Sequence, residues 1–105
     1  MDRLLTLRSA IAATLREYAQ LQHRQPIETI ALCDPATDNY LLVNVGWQQD
    51  RRVHDIVAHL RIVDGKIQVE WNGTDTLIDD LLDRGLSESD LTVPQPVQPL
   101  PAISK

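Results

Sequence analysis

The chain has 105 residues but no phenylalanine, one cysteine, four glycines and no apolar run near the ~20 residues that cross a bilayer. Each shortage excludes something. Without phenylalanine, the aliphatic residues together with Tyr18, Tyr40, Trp47 and Trp71 must fill the interior. A lone Cys33 cannot close an internal disulfide, which fits a reducing cytoplasm. No companion motif surrounds that thiol, so it reads as a small hydrophobe and not as a nucleophile. The glycines at 46, 65, 73 and 85 are isolated, so no phosphate-cradling loop exists. The opening Met-Asp-Arg-Leu-Leu-Thr-Leu-Arg is broken by charge too often for a secretory signal. Positive charge is also short. Ten Lys and Arg against fifteen Asp and Glu give a net charge of −5, the wrong sign for a dedicated phosphate-neutralising protein.

What is present suits one soluble domain, with 43% hydrophobic and 24% charged residues. Residues 2–24 place Leu4, Leu7, Ile11, Leu15 and Tyr18 at steps of three and four, which predicts an amphipathic helix capped by Asp2 and stopped by Pro26. From Ile27 the period falls to two. Strands are predicted at 27–34, 39–47, 52–63 and 66–71, the last two joined by the hairpin turn Asp64-Gly65. A second helix over roughly 75–84, capped by Thr74 or Asp75 and closed by Gly85, follows. Ser87 and Asp90 then have capping-box spacing for one more helical turn. The expected fold is α+β: a four-stranded antiparallel meander with a long helix on one face and a short C-terminal helix. The domain is expected over 1–93. Residues 94–105, with four prolines in "PQPVQPLPAISK", are expected to form an extended tail.

Both hairpin turns set a register if the strands run without interruption. Leu60, Ala58 and Ile62 then face Val69, Trp71 and Ile67, while Val43 and Leu41 face Ile56 and Ala58. That makes one face pure core, with Trp71 inside it. The other face carries Tyr40, Leu42, Asn44, Asp55, Val57, His59, Arg61, Gln68 and Glu70, an arrangement open to a partner if nothing covers it. At the tip of the second hairpin Arg52 falls opposite Trp47, where a cation–π contact is expected, and Arg51 points to the other side.

The search for a catalytic centre is negative. His54 and Asp55 are strand neighbours and face opposite ways. Asp55 and His59 share a face but lie ~13 Å apart along a strand, too far for one metal or proton relay. His59 falls opposite Glu70, which suits a cross-strand ion pair, and Asp79, Asp80 and Asp83 form a solvated helix face. No catalytic residue, metal ligand or cofactor site is assigned.

Residues 40–75, "YLLVNVGWQQDRRVHDIVAHLRIVDGKIQVEWNGTD", resemble the XisI family, the fdxN element excision controlling factor proteins of cyanobacteria. The likeness rests on Tyr40, Val45-Gly46-Trp47, Arg51-Arg52-Val53, His59-Leu60, Asp64-Gly65-Lys66-Ile67 and Trp71-Asn72-Gly73-Thr74. It extends through "LREYA" and "LLDRGLSESDL" to cover roughly 1–93, and the chain departs from it at "VPQPVQPLPAISK", where relatives carry a Phe-His-Pro-Pro-like ending. The resemblance implies a non-enzymatic cytoplasmic factor that controls excision of a DNA element during heterocyst development. It would act with an XisH-like companion and within a recombinase complex. Tyr40, Leu42, Arg51, Val57, His59 and Arg61 are the expected partner-binding residues. Gly46, Trp47, Arg52, Trp71, Asn72 and Gly73 are expected to serve structure. Direct DNA binding through Arg51, Arg52, Arg61 and Lys66, and a small-ligand pocket between helix and sheet, are the alternatives. A homo-oligomer is compatible with either.

Overall fold

The computed structural model describes residues 2–22 and 24–96 and begins with helix α1, Arg3–Gln22. The Asp2 carboxylate accepts the Leu4 N–H at 3.0 Å, so the predicted cap is in place. Leu7, Ile11 and Leu15 are fully buried along one side of α1, with Leu4 and Tyr18 half-buried at its ends. Strands β1 (Ile27–Asp34), β2 (Asn39–Gln48), β3 (Arg51–Val63) and β4 (Lys66–Asn72) follow as an antiparallel meander. Asp64 and Gly65 both hold positive φ (53° and 78°), the backbone a two-residue hairpin needs, and Val63 pairs with Lys66 as predicted.

After β4, Asn72 Oδ1 accepts both the N–H and the hydroxyl of Thr74, and Thr74 Oγ1 accepts the Leu77 N–H at 3.1 Å to start helix α2, Leu77–Asp83. Ser87 donates its N–H to Asp90 Oδ2 at 2.8 Å, which fixes the single 3-10 turn at Glu88–Asp90. The chain then adds strand β5, Leu91–Thr92, parallel to β4. The sheet therefore has five strands in the order β1-β2-β3-β4-β5, with one parallel pair, where the sequence reading gave four antiparallel strands. Two residues are too short for any period to reveal. The parallel direction follows from α2, which carries the chain back across the sheet before the last strand begins. Of the segment expected to be a tail, residues 94–96 are exposed and 97–105 lie outside the described residues.

The largest departure from the sequence reading is which face is buried. Leu42 pairs with Ala58 but Val43 pairs with Ile56, so Val57 has no partner on β2. His59 pairs with Trp71 but Leu60 pairs with Val69, so Glu70 is skipped. Each extra residue is a β-bulge, and each exchanges the faces of the strand beyond it. The core under α1 consequently holds Tyr40, Leu42, Ala58, Leu60 and Ile67, joined by Leu77, Leu81 and Leu86. Tyr40 (1% exposed) and Leu42 (0%) are interior residues and cannot bind a partner, while Trp71 is 60% exposed on the outer face.

One polar cluster ties α1 to the β1–β2 turn. Arg8 grips Asp38 with Nε to Oδ1 at 2.8 Å and Nη2 to Oδ2 at 3.1 Å, and Tyr40 donates its hydroxyl to Asp38 Oδ1 at 2.9 Å. The bond from Arg8 holds the Asp38 carboxyl below the ordinary carboxylate range. Burial first, and then the bond to Asp38, push the Tyr40 phenol up to about 12. A second tie joins Arg3 to Asp90, and that pairing, helped by the Ser87 N–H, takes Asp90 down to about 2.

Two predictions follow from this architecture. Leu42→Ala should cost ~2–5 kcal/mol in urea unfolding as a core cavity, whereas Trp71→Ala should cost below ~1 kcal/mol as a surface change. The opposite order would mean the bulges are misplaced. The raised Tyr40 value contributes stability that is complete below pH ~10 and is lost as pH rises towards about 12. Denaturation midpoints from pH 9 to 12 should therefore fall more steeply for the wild type than for Tyr40→Phe. Equal slopes would remove the phenol from the account.

Candidate partner-binding surfaces

The outer face of the sheet is built from the residues that the bulges turn away from α1. Pairing aligns Leu32, Leu41, His59 and Trp71 in one row across four strands, and Ile30, Val43 and Ile56 in the next. Glu28, Val45 and His54 form a third row. Leu32 is 49% exposed and Ile56 51%, values that belong to a face with no layer over it among the described residues. A hollow of about 660 Å³ lies between these rows, lined by Ile30, Leu32, Val43, Val45 and Ile56 with His54 and Asp55 at its side.

The predicted site residues divide between this face and the interior. His59 and Arg61 lie on the outer face, both half-buried. His59 Nε2 bonds Asn39 Oδ1 at 2.8 Å and faces Trp71, not Glu70 as the uninterrupted register required. Arg61 approaches Glu70 at 3.7 Å, a carboxylate that also accepts from the Gln68 amide. Val57 is the bulged residue and packs against the core; its carbonyl accepts the Gly73 N–H at 2.8 Å, so it is no part of an exposed patch. Arg51 is exposed at the hairpin tip. Together with Tyr40 and Leu42 in the core, the expected partner-binding set is not one surface. The residues missed are Ile30, Leu32, Val43 and Ile56. The apolar run Ile56-Val57-Ala58 was no clear signal, because Ile30-Ala31-Leu32-Cys33 is equally apolar and pairs without a bulge.

The residues assigned to structure are better placed. Arg52 stands over the Trp47 ring, 5.3 Å from its centroid, and donates to the Gly46 carbonyl at 3.2 Å. Gly46 is required by space, because a Cβ there would sit 2.2 Å from the Pro26 carbonyl oxygen. Gly73 lies against Val57, whose carbonyl oxygen would be 3.0 Å from an added Cβ. Asn72 shapes the approach to α2. Trp71 is the exception, since it decorates the outer face and does not fill the core.

Chemistry is sparse. Among the described residues no group of three or more His, Cys, Asp or Glu comes together to hold a metal ion, and no helix is long and apolar enough to cross a membrane. Cys33 is half-buried against the core, where desolvation pushes its thiol up and away from reactivity. For DNA contact, Arg52 is engaged with Trp47 and Arg61 faces Glu70. That leaves Arg51 and Lys66 at opposite ends of β3, ~40 Å apart at ~3.3 Å per residue, with no basic stripe between them.

The described residues thus form a two-layer α+β domain with one sheet face covered by α1 and the other without a layer over it. The comparisons place it further. The family described as XisI protein matches residues 1–95, and the chain belongs to that family. An XisI-like protein from Anabaena variabilis ATCC 29413 shares 30% identity with a TM-score of 0.76, covering 85% of this chain and 84% of the other. The fdxN element excision controlling factor XisI from the same organism shares 29% identity with a TM-score of 0.74, covering 87% and 90%. No curated protein matches the chain.

Arg52→Glu should lower the melting temperature by a few degrees, since it removes a ring contact worth ~0.5–1 kcal/mol and the bond to the Gly46 carbonyl. Arg51→Glu should leave it within about a degree, as surface changes usually do. Thermal melts of the two variants check the assignment, and equal shifts would contradict it.

Proposed function

We propose that this chain is a non-catalytic accessory factor in controlling excision of a DNA element, and that it works by docking an XisH-like companion protein on the outer sheet face. The supporting observation is the pair of apolar cross-strand rows, Leu32-Leu41-His59-Trp71 and Ile30-Val43-Ile56, left open on a domain of 105 residues. Fully desolvated apolar centres with polar rims carry most binding energy in protein interfaces. Here Arg52, Arg61, Glu28 and Glu70 supply a rim of both signs. Family membership supports the regulatory half of the reading, because one relative is a named excision controlling factor. The companion would be recognised by an apolar ridge, and the recombinase complex would be reached through it in the cytoplasm.

The test is co-purification of the companion with outer-face variants. Ile56→Lys should weaken capture by about a hundredfold, a central-anchor loss of ~2–3 kcal/mol, with the melting temperature little changed because Ile56 is half-exposed. Arg51→Glu should leave capture near the wild-type level, because Arg51 alternates to the face opposite Arg52. Should Ile56→Lys capture the companion like wild type while Arg51→Glu loses a salt-dependent affinity for duplex DNA, direct DNA binding replaces this reading.

A further inference from the structure

The outer face has one approach that comes from the chain itself. Strand β5 pairs Leu91 with Ile67 and Thr92 with Gln68, parallel to β4, so the chain leaves the sheet heading towards the Trp71 end of β4. Residues 93–96 are exposed, and 97–105 lie outside the described residues. Every residue from Val93 to Pro101 except Val97 is a proline or precedes one, which biases the backbone to extended or polyproline II geometry before any contact forms. That helix repeats every three residues. At this period Pro94, Val97, Leu100 and Ile103 fall on one side as an unbroken apolar stripe, while Gln95, Gln98 and Ser104 fall on another.

We propose that residues 94–103 cross the outer face in this form as an intramolecular strap, laying the Pro94-Val97-Leu100-Ile103 stripe over Trp71 and the apolar rows. The reach is sufficient. Nine steps from Pro94 to Ile103 at ~3.1 Å span ~28 Å, against ~19 Å for the four strand spacings from β5 to β1. The periods also agree, because one turn of the strap, ~9.3 Å, equals two strand spacings, ~9.6 Å. Proline-rich segments dock against exposed aromatic rings. Trp71 is such a ring, 60% exposed, and it ends the row on the side nearest β5. Beyond it the hollow lined by Ile30, Leu32, Val43 and Ile56 receives Leu100 and Ile103. Residues 94–105 contain no carboxylate side chain to desolvate, and their prolines leave little backbone freedom to lose. The strap stands independently of any partner. Its consequence rests on the companion reading, since the companion would dock only when the strap lifts from the same rows.

The experiment is NMR of the isotope-labelled full chain at low and high protein concentration. In wild type the Leu100 and Ile103 methyl groups should show Overhauser contacts to the Trp71 ring and the Ile56 methyls, with relative intensities independent of concentration. Leu100→Asp should abolish those contacts and move the Trp71 indole N–H resonance, while that of Trp47, at the far hairpin tip, stays in place. A Trp71 resonance indifferent to Leu100→Asp overturns the proposal. So do contacts that grow with concentration, which would seat the segment on a second copy. Companion capture is scored separately. A strap closed about nine-tenths of the time lowers apparent affinity about tenfold, so Leu100→Asp should tighten capture by that factor. Contacts present with capture unchanged keep the strap and remove the companion from this face. Contacts absent with capture still weakened by Ile56→Lys refute the strap alone.

Discussion

Everything in this domain is organised by one packing event, the burial of the Leu7, Ile11 and Leu15 stripe of α1 on Tyr40, Leu42, Ala58 and Leu60. Each such side chain contributes ~1.5–3 kcal/mol when removed from water, and the chain has a single long helix to supply this cover. Only one sheet face can therefore be dry. The short α2 extends the same layer with Leu77 and Leu81, and Arg8, Arg3 and Glu17 clip α1 to Asp38, Asp90 and Arg84 around its perimeter. With the helical layer committed to the inner face, no layer among the described residues covers the aliphatic rows on the outer face.

The elements were legible in the sequence, but their orientation was not. Period changes located α1 and four of the strands to within a few residues, Asp64-Gly65 fixed its turn, and Trp47 with Arg52 met as strand pairing demands. Face assignment failed because it propagates: a single extra residue inverts every side chain beyond it. At Val57 the consecutive apolar residues gave no clear warning, since Ile30 to Cys33 are equally apolar and pair without a bulge. At Glu70 there was none, since Ile67, Val69 and Trp71 alternate without fault and only the backbone reveals the skip. The Arg8–Asp38–Tyr40 cluster was also invisible, because it joins helix and turn across thirty positions of chain. Of the candidate site, His59 and Arg61 lie on the outer face and Arg51 is exposed at the tip, while Tyr40, Leu42 and Val57 pack in or against the core.

The two surfaces left over differ in what they ask of a partner. The outer face offers area and shape with few directional groups, so affinity there would come from desolvation and from how well a ridge fits the hollow between the rows. The β1 edge offers backbone donors and acceptors only from Thr29 to Cys33, since those of Ile27 are already taken by Arg24. Arg52 on Trp47 sits at the far tip of the β2–β3 hairpin and stiffens that end of the outer face without occupying it.

Strand β5 brings the chain out at the edge furthest from β1. Four strand spacings of ~4.8 Å separate the two edges by roughly 19 Å. Probes placed at Thr92 and at exposed Glu28 would therefore stand about one sheet width apart, and a distance ruler between them would report any parting of the strands that lie between.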